Sequence, residues 1–202
     1  MSLHATHLFF RQWLRAPLQT GAVLPSGGAL VRALAAQLDP TEPGIVVELG
    51  PGTGAVTRAL LKRGIPVERL VLVERNPHFV SLLRHRFPGV RVLQADATEL
   101  HTLLTEAGVP AVAQIVSSLP LRSLPFSVQR GVLRAAFRVL APGGRFLQYT
   151  YGLSSPVQPV LKQRLGLIGH PVTRVLFNVP PAVVWSYETV DQGRLIRFPK
   201  AA

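Results

Sequence analysis

The sequence contains no cysteine. Disulfides and thiolate metal sites are therefore excluded, no metal centre is expected, and a reducing compartment is the natural setting. Every apolar run is broken by Arg, Gly or Pro well short of the roughly 20 residues that a membrane-spanning helix needs. There is no hydrophobic signal core followed by a small-residue cleavage site. The expectation is a cytoplasmic protein, or one held peripherally on the inner face of the cytoplasmic membrane. Acidic residues are scarce: 10 stand against 22 cationic ones, 19 of them Arg, for a formal net charge of +12. A field of that sign attracts phosphates, whether in nucleic acid or on an anionic membrane.

What is present points to one folded domain over residues 1–202, with 48% apolar composition against disorder. No repeat, low-complexity tract or long linker divides it. Strand-like runs alternate with helical patterns. "IVVELG" (45–50) is a strand, followed by a helix over 54–63. "LVLVE" (70–74) precedes a helix over 77–87, and "VRVLQAD" (90–96) precedes one over 98–108. "AVAQIVSSL" (111–119) is a fourth strand. A helix over 126–140 stops at "APGG" (141–144), before a fifth strand at "RFLQYTY" (145–151). "TRVLFNV" (173–179) and "AVVWSYETV" (182–190) supply one or two more. This alternation predicts an α/β, Rossmann-like doubly wound sheet, mainly parallel, with an antiparallel strand near the C-terminus. Two helices precede the first strand. One lies over residues 3–15; the other is capped by Ser26 and buries Leu30, Val31, Leu34 and Leu38.

In "VVELGPGTGAVTRALL" (46–61), Gly50, Gly52 and Gly54 follow the first strand and open a helix. Glycine lets a ligand approach the backbone, and a helix N-terminus offers free N–H groups. With Ala55 the string also satisfies the dinucleotide pattern, so a nicotinamide cofactor must be weighed. Glu48 helps to decide, because a pyrophosphate at this helix would meet a carboxylate of its own sign. S-adenosylmethionine carries a sulfonium and an ammonium, which a carboxylate suits. Glu74 ends the second strand, where an acid can take both ribose hydroxyls. Asp96 follows the third strand and can accept from the adenine amine. Three carboxylates thus end three successive strands, at the sheet edge where open α/β folds bind ligands.

This layout resembles the class I S-adenosylmethionine-dependent methyltransferases over about residues 44–151. The resemblance implies that Glu48, Gly50, Gly52 and Gly54 form the methionine-side loop. It implies that Glu74, with Arg75 beside it, holds ribose, that Asp96 and Ala97 flank adenine, and that Ser117 and Ser118 stand next to the transferred methyl.

Other segments speak to the acceptor. In "SLHATHLFFRQWLRAP" (2–17), Phe9, Phe10, Trp13 and Leu14 share one half of a helical wheel; Arg11 and Arg15 lie on the other. A helix over 3–15 spans only about 20 Å, and this pattern is that of a helix lying in the lipid interface. "SSLPL" (117–121) lacks the Asn or Asp, Pro, aromatic series that holds a flipped base. That argues against nucleic acid, although the charge would suit it. "FFRQWLRAPLQTGAVLPS" (9–26), "SSLPLRSLP" (117–125), "QYTYG" (148–152) and "NVPPAVVW" (178–185) resemble the small peripheral phospholipid N-methyltransferases of bacteria. This likeness implies methylation of phosphatidylethanolamine, through its monomethyl and dimethyl forms, towards phosphatidylcholine. It implies that Gln19, Thr20, Gly21 and Ser26 help to close over the cofactor, so that residues 1–40 form membrane-binding and lid helices. Residues 152–202 would then form the substrate side. No protein partner is implied.

An ethanolamine nitrogen arrives as an ammonium and must shed a proton before attack. Amines of this type titrate near about 10, so a general base or desolvation is needed. Tyr151, Tyr149, His170 and Tyr187 are the candidate bases; Tyr151 is preferred because the fifth strand ends at the cofactor edge. Arg11, Arg15 and Arg122 are candidates to anchor the lipid phosphate. The rivals are a ribosomal RNA or other nucleic-acid methyltransferase, a catalytically silent membrane-binding protein of the same fold, and an enzyme for another amine such as an ornithine-type lipid.

Overall fold

The computed structural model describes residues 25–110, 112–176 and 180–190. The amphipathic stretch with Phe9, Phe10, Arg11, Trp13, Leu14 and Arg15 lies outside them, as do Gln19, Thr20 and Gly21. The chain enters through helix α1 (Pro25–Ala35). Strand β1 (Ile45–Leu49), helix α2 (Ala55–Arg63), β2 (Leu70–Glu74), α3 (Pro77–Arg86) and β3 (Arg91–Gln94) follow. Then come α4 (Leu100–Glu106), β4 (Val112–Ser117), α5 (Phe126–Val139) and β5 (Leu140–Tyr151). Helix α6 (Pro159–Leu165) and strands β6 (Leu167–Val175) and β7 (Ala182–Thr189) complete the described residues.

The seven strands run in the order β3-β2-β1-β4-β5-β7-β6. Strands β1 to β5 pair in parallel. Strand β7 is antiparallel to both β5 and β6. Strand order reverses between β1 and β4, so a crevice opens there outside the carboxyl ends of the strands. Both faces are covered. Leu34 of α1, Leu60 of α2 and Leu83 of α3 pack on Val46, Leu72 and Val116. Leu104 of α4, Leu133 of α5 and Leu161 of α6 pack on Val47, Val73, Ile115 and Phe146. Double coverage explains why the inner strands read as unbroken apolar runs. Alternation then places Glu48 beneath the α1–α3 layer, on the face that carries Val46 and Val116.

Three details depart from the expected pattern. Helix α1 begins at Pro25, so Ser26 lies in its first turn rather than ahead of it. Helix α5 ends at Val139, but "APGG" is no free turn. Leu140 already pairs with Val112, and the register shifts between Val112 and Gln114 to absorb the extra residues in a bulged start of β5. The last surprise is near the C-terminus. Helix α6 was not expected, and β6 covers residues 167–175 rather than 173–179. Gly166, Gly169 and Pro171 disguised it; proline is tolerated because β6 is an edge strand with a register shift at Pro171.

Gly169 is paired with Tyr187, whose ring fills the space a side chain would take: a Cβ there would lie 2.3 Å from a ring carbon. Gly169→Ala should cost about 1–3 kcal/mol by overpacking. On a chain of this length that lowers Tm by roughly 2–10 °C. A thermal melt checks it; an unchanged Tm would show that the Tyr187 ring moves freely.

Candidate active site

The β1–α2 loop is tied to its neighbour strand. Gly50 N–H donates to the Val73 carbonyl at 2.9 Å. Glu74 Oε2 accepts from Gly52 N–H at 3.1 Å, and its Oε1 from Asn76 N–H at 2.8 Å. The carboxylate expected at ribose therefore also holds the loop in place. Gly52 (φ 55°) and Gly54 (φ 82°) both lie in the left-handed region that glycine favours. They differ in what surrounds them. A Cβ on Gly54 would collide with the Phe87 ring at 2.3 Å, whereas one on Gly52 would meet nothing within 4 Å. Gly54 thus packs α2 onto α3, and Gly52 leaves its backbone bare to an open side.

Glu48 is fully buried. The Thr57 hydroxyl, one turn into α2, donates to its Oε2 at 2.7 Å. Its Oε1 is buried with no hydrogen-bond partner among the described residues. Burial pushes the Glu48 carboxyl up to about 8, with the Thr57 bond opposing and the Glu74 charge adding to the rise. An orphaned buried carboxylate oxygen beside a bare glycine loop is the arrangement an incoming cation would complete. Thr57 was not singled out from the sequence. Its signal was a hydroxyl on the core-facing side of α2, nine residues after Glu48.

Asp96 is committed locally. Its Oδ1 accepts from the Thr98 N–H at 2.9 Å and hydroxyl at 2.8 Å, and its Oδ2 pairs with Arg75 at 3.3 Å. Ala97 opens the short 3₁₀ turn that Asp96 caps. Ser117 Oγ accepts weakly from Leu119 N–H at 3.4 Å. Ser118 Oγ is buried with no hydrogen-bond partner among the described residues. Register places Ser118 beside Tyr149, since Ser117 pairs with Gln148. Both therefore share the face that carries Glu48, and the charge of Glu48 reaches the Tyr149 phenol. Gln148, also missed in sequence, donates from Nε2 to the Leu119 and Tyr149 carbonyls at 3.0 and 2.7 Å, clamping the loop after β4.

The four candidate bases separate. Tyr149 and Tyr151 reach the strand ends, rings edge to face at 6.0 Å between centroids. They line a cleft of about 150 Å³ with Leu119, Pro120, Leu121, Arg122, Ser123, Thr150 and Pro156. Tyr187 does not join them. It is buried against Phe146, its hydroxyl 2.7 Å from that of Ser155. His170 lies exposed on the outer strand β6, paired with Ser186, three strands from β4. Neither is placed to take a proton at the strand ends. Burial raises the phenols of Tyr149, Tyr151 and Tyr187, the last to about 12 despite its bond to Ser155. All three are neutral phenols at physiological pH, so none offers a phenolate. Among the described residues no His, Asp and Glu cluster could hold a metal, and no helix is long and apolar enough to cross a membrane.

Comparisons with known proteins agree with this geometry. A family model described as a methyltransferase domain matches residues 46–144. The ornithine lipid N-methyltransferase of Singulisphaera acidiphila is 34% identical over 146 residues, covering 71% of this chain and 76% of that protein. The fold is shared with 1,6-didemethyltoxoflavin-N1-methyltransferase of Burkholderia thailandensis, crystallised with S-adenosylhomocysteine. Its TM-score is 0.66 at 18% identity, over 94% of this chain and 91% of that one. The glycopeptide N-methyltransferase MtfA with bound S-adenosylmethionine superposes with a TM-score of 0.61 at 16% identity, over 83% and 96%. Strand order, glycine loop and relatives converge: the chain belongs to the class I S-adenosylmethionine-dependent methyltransferases, and S-adenosylmethionine is its cofactor.

Proposed function

We propose that the protein transfers methyl groups from S-adenosylmethionine to the amino headgroup of a membrane lipid: phosphatidylethanolamine and its monomethyl and dimethyl forms, towards phosphatidylcholine. The observation that carries this is the cleft lined by Tyr149, Tyr151 and Arg122, whose Tyr149 stands in register with Ser118 and is reached by the charge of Glu48. It offers phenol faces to an ammonium and a guanidinium to an anion a few bonds away. No aromatic residue follows Pro120; buried Leu121 stands there, so the support for a stacked base is missing. The 34% identical relative is named for an ornithine lipid, and that lipid is the second acceptor to test.

When bound, the cofactor supplies an electrophilic methyl on a sulfonium. The chain's own residues orient and exclude. Glu48 would meet the cationic methionine end, Gly52 would admit it to the backbone, and Glu74 would accept from the ribose. The exposed side of Asp96, beyond its bonds to Thr98 and Arg75, would accept from the adenine. Entry into the cleft strips water from the lipid ammonium, which favours its neutral form. The ammonium gives its proton to water as it enters. The phenol oxygens of Tyr151 and Tyr149 would then accept from the N–H groups of the primary and monomethyl amines, whereas the neutral dimethyl amine has none and would be held by the ring faces alone. Desolvation thus replaces the tyrosinate base.

Radiolabelled methyl transfer from S-adenosylmethionine is the direct test, with vesicles of phosphatidylethanolamine, vesicles of ornithine lipid, and ribosomal RNA offered in parallel. Label in phosphatidylethanolamine is expected; label confined to ornithine lipid or to RNA rejects that acceptor. Tyr151→Ala should lower kcat at least about tenfold while cofactor affinity, read by calorimetry, holds. Wild-type turnover would remove Tyr151 from the site.

Glu48 gives a pH prediction. Its folded value of about 8 lies above its ordinary 4.5. The native state therefore binds the extra proton between these values, so this group's stability contribution is full below 4.5 and lost as pH rises through about 8. Glu48→Gln should flatten that slope and melt higher than wild type at pH 8 without cofactor. It should also weaken cofactor binding by roughly 10–100-fold, as loss of a charged hydrogen bond does. Wild-type affinity should tighten from pH 6 to pH 8, and that of the variant should not. Equal melting and affinity in the two proteins would place Glu48 outside the cofactor's reach.

A further inference from the structure

The rim of the cleft is apolar where solvent should meet it. Leu153 is 67% exposed, Leu176 64% and Tyr151 51%. Pairing brings them to one edge: Tyr151 pairs with Ala182, and Ala182 with Val175. Leu176, just past β6, and Leu153, just past β5, therefore stand at the strand-end edge that carries the cleft. The Arg122 guanidinium lies over the same edge, 3.9 Å from where a Cβ on Gly152 would be. Exposed Arg174 sits next to the end of β6.

The charge around this rim is of one sign. Between Glu106 and Glu188 the chain has no acidic residue, and the cations Arg122 and Arg174 stand at this edge. The two ion pairs found among the described residues use neither Arg122 nor Arg174. Exposed leucines flanked by Arg122 and Arg174, which have no carboxylate partner among the described residues, match an anionic lipid interface, where apolar side chains enter the acyl boundary and guanidinium groups stay at the phosphates.

We propose that this rim is a bilayer-contact surface, seated on anionic phospholipid, so that the acceptor amine passes from the bilayer into the cleft without crossing water. The proposal rests on the lipid-acceptor reading above for its consequence, but the contact itself is measured separately. A rim in the membrane also explains why leucines stand at two positions this exposed.

The test compares the full chain with Leu153→Glu/Leu176→Glu and with Arg174→Glu. Flotation with vesicles of phosphatidylcholine and phosphatidylglycerol reads binding. Methyl transfer is read on phosphatidylethanolamine in such vesicles and on short-chain phosphatidylethanolamine below its micelle concentration. Melting and cofactor affinity confirm folding. The double variant should bind vesicles about tenfold more weakly or worse and slow equally on vesicle lipid, with monomeric lipid turned over at the wild-type rate. Arg174→Glu should weaken binding and reduce its salt dependence. Unchanged vesicle binding in both variants overturns the proposal. A fall in sedimenting mass with vesicle binding intact also overturns it, and assigns the rim to a second copy. If the wild type methylates no lipid while the double variant still loses vesicle binding, the acceptor reading fails and the contact surface stands.

Discussion

Glu48 sits under the middle of the sheet edge with one carboxylate oxygen held by Thr57 and the other without a partner among the described residues. A group so placed is tolerated only if it is neutral or if a cation completes it. The surroundings are arranged around that demand. Strand β1 presents Glu48 to the α1–α3 face, α2 delivers Thr57 to one oxygen, and the glycine loop leaves the other side open. Glu74 fixes that loop by taking the Gly52 N–H, so the two acids at neighbouring strand ends act as one support. Loosening either would disturb both.

The acids of the chain divide along the sheet, although the cations do not. Eight of its acidic residues, from Asp39 to Glu106, fall in or next to the half built on β1, β2 and β3. The half built on β4, β5, β7 and β6 has none before Glu188. The first half suits a cationic cofactor with hydroxyl groups to hold, and the second suits an anionic acceptor. The acids of the first half are matched by as many cations from Arg58 to Arg91, whereas the cations of the second half stand without acids, so the sheet is balanced on one side of its switch point and positive on the other.

Much of this was legible in the sequence. The strand β2 bounds, the helix α3 start and the three strand-end acids followed from apolar runs, turn residues and spacing. What was hidden depended on tertiary pairing. "APGG" carries a helix-stop signal, and only the register with Val112 turns it into the start of β5. "GLIGHPV" reads as loop because it contains two glycines and a proline, but an edge strand beside Tyr187 accepts all three. The four candidate bases looked alike in sequence because side-chain depth is invisible there. Parity along β5 and the position of β7 carry Tyr187 into the core and leave Tyr149 and Tyr151 at the edge. Arg75 and Asp96 were each expected beside the cofactor, and nothing in the sequence marked them as partners of each other.

Pro171 on the outermost strand has a consequence for crowding. A protein that gathers on a surface is confined to two dimensions, and its neighbours then meet it edge-on far more often than in solution. An unpaired strand at such an edge is a template on which a second chain can add. Strand β6 breaks that template: Pro171 offers no N–H, and the register slips beside it. At the other end of the sheet, β3 is only four residues long. Both flanks are therefore poor docking sites for another strand, and crowded copies can lie side by side without joining sheets.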